Sequence, residues 1–215
     1  MLVIRDPYLR PLALFAAAAN LALTGYAALV VVFLVRVVKV EPGILGLLLA
    51  VSGAGGVISA SIAGRVVRRL GTARGLLLSA LCGLPFALLI PLTGPGPRLA
   101  FFVAGVLMTV SSVVVATIIL SSFRQVYCPP ELLGGVVATM RFLLFGSSPL
   151  GALLGGGLGT WLAVRDALWV LTADVALSGT LLLTRDIRGR RDLPTSPASP
   201  ERVGAAPVRS DGRPG

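Results

Sequence analysis

The chain has 215 residues, of which 55% are hydrophobic and only 13% are charged, a composition far from that of a soluble globular domain. Its formal net charge of +10 would suit a nucleic-acid-binding protein, but the arginines lie between and after long apolar runs and form no single basic face, a distribution that argues against nucleic-acid binding. Histidine is absent, and Cys82 and Cys128 are the only cysteines, so no metal site, no cofactor and no catalytic residue are predicted. We therefore expect an integral membrane protein that is not an enzyme.

Apolar runs of about 20 residues, each long enough to cross a bilayer as a helix, occur six times. The predicted spans cover residues 11–35, 43–63, 75–93, 99–122, 136–160 and 166–184. The first run is too long for a secretory signal segment, so we expect it to be retained. Residues 1–184 are thus predicted to form a six-helix transmembrane bundle. Residues 185–215 are rich in Arg, Pro and Ser without apolar periodicity, which predicts a disordered basic cytoplasmic tail.

Positive charge is distributed unequally between the two sides that alternating connectors define. One side holds four cations, namely Arg36, Lys39, Arg98 and Arg165. The other side holds twelve, namely Arg5, Arg10, Arg65, Arg68, Arg69, Arg74, Arg124, Arg141, Arg185, Arg188, Arg190 and Arg191. This asymmetry predicts a multi-pass protein of the cell (cytoplasmic) membrane with both termini in the cytoplasm. The cluster that starts at Arg185 is either a plain topology signal or a contact with anionic headgroups.

Small residues recur every four positions in two of the predicted spans, which favours close helix packing in a bilayer. In the second span they are Gly56, Ala60 and Gly64. In the fifth span they are Ser147, Gly151, Gly155 and Gly159. Each stripe is either a moving interface or ordinary static packing, and the pattern alone does not separate these alternatives.

Polar side chains in the first and fourth spans are candidates for lining a substrate cavity: Asn20, Thr24, Tyr26, Thr109 and Ser112. Serine and threonine hydroxyls can instead bond to carbonyls of their own helix, whereas an asparagine is harder to satisfy in that way. Asn20 is therefore the preferred candidate. Asp174, near the middle of the sixth span, is a candidate for proton coupling, the alternative being a protonated or locally bonded structural carboxyl.

The connector after the second span reads Gly64-Arg-Val-Val-Arg-Arg-Leu-Gly-Thr-Ala-Arg74. It resembles the Gly-x-x-x-x-Arg-x-Gly-x-x-Arg loop of the major facilitator superfamily, whose motif positions are Gly64, Arg69, Gly71 and Arg74. Residues 124–134 and 138–155 are similar to the tenth-to-eleventh helix region of its drug-exporter branch, which includes macrolide and siderophore exporters. The chain departs from the family pattern at Arg68, where an acidic residue is usual.

This resemblance implies that the six spans correspond to helices seven to twelve, one half-bundle made of two inverted three-helix repeats. It also implies that the first and fourth spans line the central cavity and that the second and fifth face the other half. The expected function is half of a secondary transporter for proton-coupled efflux of hydrophobic small molecules. Its expected partners are the lipid bilayer, that substrate, and a second six-helix half or another copy of itself. The alternative is a truncated or remnant six-span protein that does not transport and acts at most as an interaction module.

Overall fold

The structure, a computed structural model, describes residues 9–128, 130–183 and 192. These residues form six long helical segments and contain no strand. Helices α1 and α2 are Leu9–Val32, which continues as the π-helical turn Phe33–Val37, and Pro42–Leu70. Helix α3 starts as Thr72–Leu78 and continues through a π-helical turn, Ser79–Gly83, and a 3₁₀ segment, Leu84–Leu89. Helices α4, α5 and α6 are Leu99–Tyr127, Pro130–Trp161 and Val164–Ser178, with short 3₁₀ segments Gly96–Arg98 before α4 and Gly179–Leu182 after α6.

Five helical segments are long and apolar enough to cross a membrane, and they are Leu9–Val37, Pro42–Leu70, Thr72–Leu89, Gly96–Tyr127 and Leu133–Trp161. The sixth, α6, carries Arg165, Asp166 and Asp174, and its crossing stays a prediction. The protein is thus all-helical over the described residues, with several apolar helices compatible with a multi-pass membrane bundle. Apart from Asp192, the predicted tail lies outside the described residues.

The basic connector between the second and third predicted spans is almost entirely helical. Helix α2 extends to Leu70 and α3 starts at Thr72, so Gly71 alone forms the turn. Its φ of 83° lies in the region that favours glycine, which explains a glycine at this motif position. A carboxylate oxygen of Asp192 accepts a hydrogen bond of 2.9 Å from the backbone N–H of Thr72, one of the donors that a helix start leaves without a partner.

The first three helices pack mainly against the last three. Helix α1 packs mainly against α5 and α6, whereas α4 packs mainly against α2 and α3. Helices α1 and α4 make few direct contacts with each other. Each of these two central helices therefore leaves part of its surface facing the other across open space.

The α1–α5 interface is a contact between two backbones. A β-carbon at Gly155 would lie 2.5 Å from the carbonyl oxygen of Gly25, and one at Gly151 would collide with the carbonyl oxygen of Leu21. At Gly159 it would meet the Leu29 side chain at 2.6 Å. The stripe that the sequence predicts on α5 is thus buried against α1 within the chain, where it lets two helices approach closely.

The α2–α4 interface uses a face next to the predicted stripe. The buried residues of α2 in this region are Gly55, Ser59 and Ala63. A β-carbon at Gly55 would collide with the Leu107 side chain, whereas one at Gly56 would make an ordinary contact of 3.6 Å with Val110. Ala60 and Gly64, the remaining members of the predicted stripe, are exposed.

Candidate functional site

Two cavities of about 200 Å³ each lie where α1 and α4 face each other. The first is bounded by the first half of α1 and the second half of α4, with contributions from α3 and α5. The second lies further along α1 and is closed by α3, α4 and α6. Both are smaller than the roughly 300–1,000 Å³ of ordinary ligand pockets. Each has the size expected of part of a binding site.

Asn20 lines the first cavity and also ties α1 to α5. Its Nδ2 donates to the Leu144 carbonyl at 2.9 Å, to Ser147 Oγ at 2.9 Å and to Ser148 Oγ at 3.0 Å. Two hydrogens serve three acceptors, so at least one bond is shared. The side-chain oxygen of Asn20 has no hydrogen bond within the described residues, and it is therefore an available acceptor beside the cavity.

The hydroxyls of Thr24 and Ser112 bond to carbonyls of their own helices, at Asn20 (2.8 Å) and Met108 (2.8 Å). Ser112 nevertheless lines the first cavity, opposite the π-helical turn of α3. There a β-carbon at Gly83 would collide with Ser112 Oγ, so only glycine permits this approach. Thr24 lines neither cavity.

Thr109 and Tyr26 line the second cavity. Thr109 is only 5% exposed, and its Oγ1 has no hydrogen-bond partner among the described residues. A buried hydroxyl without a partner has an energetic cost, which a ligand acceptor or a water molecule in the cavity would remove. Thr109 therefore does not follow the intrahelical pattern of Thr24 and Ser112.

The other predicted site residues lie away from these cavities. Asp174 lines neither, although Thr172 and Val175 on the same helix line the second. It is partly buried and forms no hydrogen bond or ion pair within the described residues. Gly64, Arg69, Gly71 and Arg74 belong to the ends of α2 and α3 and the turn between them, and line neither cavity.

Arg124 lines the first cavity, a role that the sequence interpretation missed by placing it in a connector. Ser112, Ala116, Leu120 and Arg124 recur every fourth residue and all line this cavity. That spacing was the available signal, because residues four apart share a helix face. It is informative because α4 extends to Tyr127, which places all four residues on one helix.

No protein-family model, no curated protein and no solved structure matches this chain.

Proposed function

We propose that this protein is one six-helix half of a secondary active transporter that exports hydrophobic small molecules with proton coupling. The observation that carries the proposal is the placement of both cavities between α1 and α4. In the half-bundle that the sequence resembles, these would be the two helices that line the substrate path. Both cavities have mainly apolar walls that carry a few polar groups, among them Asn20, Ser112 and Thr109, an arrangement that suits largely hydrophobic substrates with few hydrogen-bonding groups.

The packing of the first three helices against the last three supports the proposed half-bundle. In two inverted three-helix repeats, we expect the first helix of each repeat to pack against the second and third helices of the other repeat. The contacts of α1 with α5 and α6, and of α4 with α2 and α3, have this reciprocity. Proton coupling through Asp174 belongs to the proposal as well, although that residue lies apart from both cavities.

A second six-helix bundle, on the same polypeptide or on another, would complete the path. Helices α2 and α5 are the least buried of the five candidate spans: 17% and 22% of the residues in their most apolar stretches are buried. Both present glycines at which an added β-carbon would meet nothing within 4 Å, namely Gly43, Gly46, Gly53, Gly134, Gly135, Gly146, Gly156 and Gly157. Open small-residue faces favour close helix packing in lipid. These faces are our candidate surface for the second bundle.

Transport is tested in bacterial cells that lack their own multidrug exporters. The chain is expressed alone and together with any six-span product encoded next to it, and accumulation of a hydrophobic fluorescent dye is measured. We expect lower accumulation than with empty vector and loss of this difference on adding a protonophore. Equal accumulation in all cells would overturn the proposal and favour the non-transporting alternative.

The proposed orientation has a separate test with two exposed arginines. Arg74→Cys and Arg98→Cys are each made in a Cys82→Ser background, because Cys82 is exposed while Cys128 is buried. In intact cells an impermeant maleimide should label the Arg98→Cys protein and not the Arg74→Cys protein. The reverse pattern would place the termini outside the cytoplasm.

A further inference from the structure

Among the described residues that line the first cavity, a long and mainly apolar wall ends at one arginine. Ser112, Ala116, Leu120 and Arg124 line it from one face of α4. The separation of twelve positions between Ser112 and Arg124 corresponds to about 18 Å of helix at roughly 1.5 Å per residue. Opposite them, Leu12, Phe15 and Ala19 of α1 supply apolar walls. The charged group therefore lies at the end of a groove long enough for an extended alkyl chain.

The guanidinium of Arg124 is largely uncommitted. Its Nε donates to the Leu120 carbonyl of its own helix at 3.2 Å, and within the described residues it forms no ion pair. An arginine side chain has five N–H donors and stays charged in proteins. A partly buried cation without a counter-charge is unfavourable, and a carboxylate can satisfy it through two parallel hydrogen bonds.

We propose that the first cavity binds an amphipathic monocarboxylate, with the carboxylate on Arg124 and the apolar chain in the groove towards Ser112 and Asn20. The inference rests on the proposed transport function, since it names the substrate class of the same cavity. A lipophilic cation would be repelled by Arg124, and a neutral chain would leave the guanidinium unpaired. A multiply charged anion would leave charge without a partner, because Arg124 is the only charged residue among the described residues that line the cavity.

Binding is tested with the full chain in nanodiscs of zwitterionic lipid, using radiolabelled decanoate and its neutral analogue decanol. Empty nanodiscs give the partition of each probe into lipid, which is subtracted. We expect tighter binding of decanoate than of decanol. Arg124→Gln should weaken decanoate binding about tenfold, in the range expected for charged hydrogen bonds, and leave decanol binding unchanged. Arg124→Lys should weaken decanoate binding less than Arg124→Gln does, because it keeps the charge but loses the paired hydrogen bonds of the guanidinium.

Arg65→Gln is the matched control. Arg65, like Arg124, donates to a carbonyl four residues earlier on its own helix, Ser61 at 3.4 Å, but it is exposed on α2 and lines neither cavity. Its substitution should not change decanoate binding. An equal loss in Arg65→Gln and Arg124→Gln would mean that general surface charge attracts the anion, and the inference would be wrong.

Two competitors separate the possible sources of such an anion. Hexadecanoate mixed into the nanodisc bilayer represents supply from the lipid phase, and octanoate added to the buffer represents supply from water. Competition with decanoate by either one supports the proposal and identifies its source. Competition by neither overturns it.

This binding assay is independent of transport. If decanoate shows no preference over decanol while dye efflux is observed, the anion inference fails and the proposed function stands. If Arg124-dependent binding is found without any efflux, the proposed function fails instead. Should Arg124→Gln not fold, the wild-type comparison still decides, because equal affinity for decanoate and decanol contradicts a charge-selective cavity.

Discussion

The α1–α5 and α2–α4 interfaces each join a central helix to a helix rich in small residues, but they are built differently. Between α1 and α5, backbone carbonyl oxygens of one helix lie too close to the other helix to admit a β-carbon, as at Gly155, where it would be 2.5 Å from the Gly25 oxygen. Between α2 and α4, Gly55 is approached only by the Leu107 side chain. A side chain can move away from an added methyl group, whereas a helix backbone cannot do so without moving the whole helix. We therefore expect α1–α5 to be the rigid interface and α2–α4 the adaptable one.

The polar contacts follow the same division. Asn20 donates to three acceptors on α5. One of them, the Leu144 carbonyl, also accepts hydrogen bonds from the hydroxyls of Ser147 and Ser148. The described contact across α2–α4 is a single hydroxyl pair, Ser59 Oγ to Ser111 Oγ at 2.6 Å. If one interface adjusts during a transport cycle, the α2–α4 interface is the better candidate.

Gly155→Ala should have the largest effect, because its β-carbon would lie 2.5 Å from the Gly25 carbonyl oxygen. We expect a loss of about 3 kcal/mol in the free energy of unfolding, at the upper end for overpacking. The measurement is equilibrium unfolding in mixed detergent. Reaction of the buried Cys128 with a maleimide, in a Cys82→Ser background, reports the unfolded fraction.

The matched control is Gly156→Ala, one residue along α5, where an added β-carbon meets nothing within 4 Å. It should be neutral or slightly stabilising, since alanine is the better helix former. Equal losses at the two positions would refute the backbone contact between α1 and α5.

Asn20→Ala comes next, with an expected loss of about 1.5 kcal/mol, near the upper limit measured for hydrogen bonds between helices in membranes. Thr24→Ala, which removes a hydroxyl bonded only to its own helix, should cost less than about 0.5 kcal/mol. The same unfolding assay compares the two. Similar values would show that Asn20 does not stabilise α1–α5 more than an intrahelical bond stabilises α1.

Gly55→Ala tests the adaptable interface with the same chemical change as Gly155→Ala. The added methyl group meets the end of the Leu107 side chain, so we expect a loss of only about 1 kcal/mol. Gly56→Ala is the neighbouring control, with an ordinary contact of 3.6 Å. A loss at Gly55 as large as that at Gly155 would remove the distinction between the two interfaces.

Ser111→Ala should have the smallest effect of the four interface substitutions, about 0.6 kcal/mol, the average for a hydrogen bond between membrane helices. Ser61→Ala is its control, because the exposed Ser61 hydroxyl bonds only to the Val57 carbonyl of α2. A loss for Ser111→Ala above that for Asn20→Ala would reverse the proposed ranking of the interfaces.

The helical class and the approximate positions of the helices could be predicted from the sequence, because long apolar runs in a bilayer must satisfy their backbone polar groups internally. The residues at which helices begin and end could be predicted less well. The connector from Gly64 to Arg74 reads as a basic loop, yet Gly71 alone forms the turn, since arginine is a good helix former and nothing before Gly71 ends α2.

The candidate site was only partly predictable. Asn20, Tyr26, Thr109 and Ser112 all line one of the two cavities, but Thr24 does not. The side-chain amide of Asn20 donates its hydrogens to acceptors on α5. The sequence could not indicate these bonds, because Leu144, Ser147 and Ser148 are more than 120 residues away along the chain. Whether these residues bind a substrate stays a prediction.

Composition and periodicity by themselves determined an all-helical chain with apolar helices and small-residue stripes, since these depend on local backbone and bilayer physics. Only the tertiary structure decided which helix each stripe meets. It buries the Gly151–Gly155 face against α1, leaves Ala60 and Gly64 exposed, and brings Arg124 to the end of a cavity. The physical reason is that a helix fixes which residues share a face, whereas the neighbour of that face depends on how all six helices pack together.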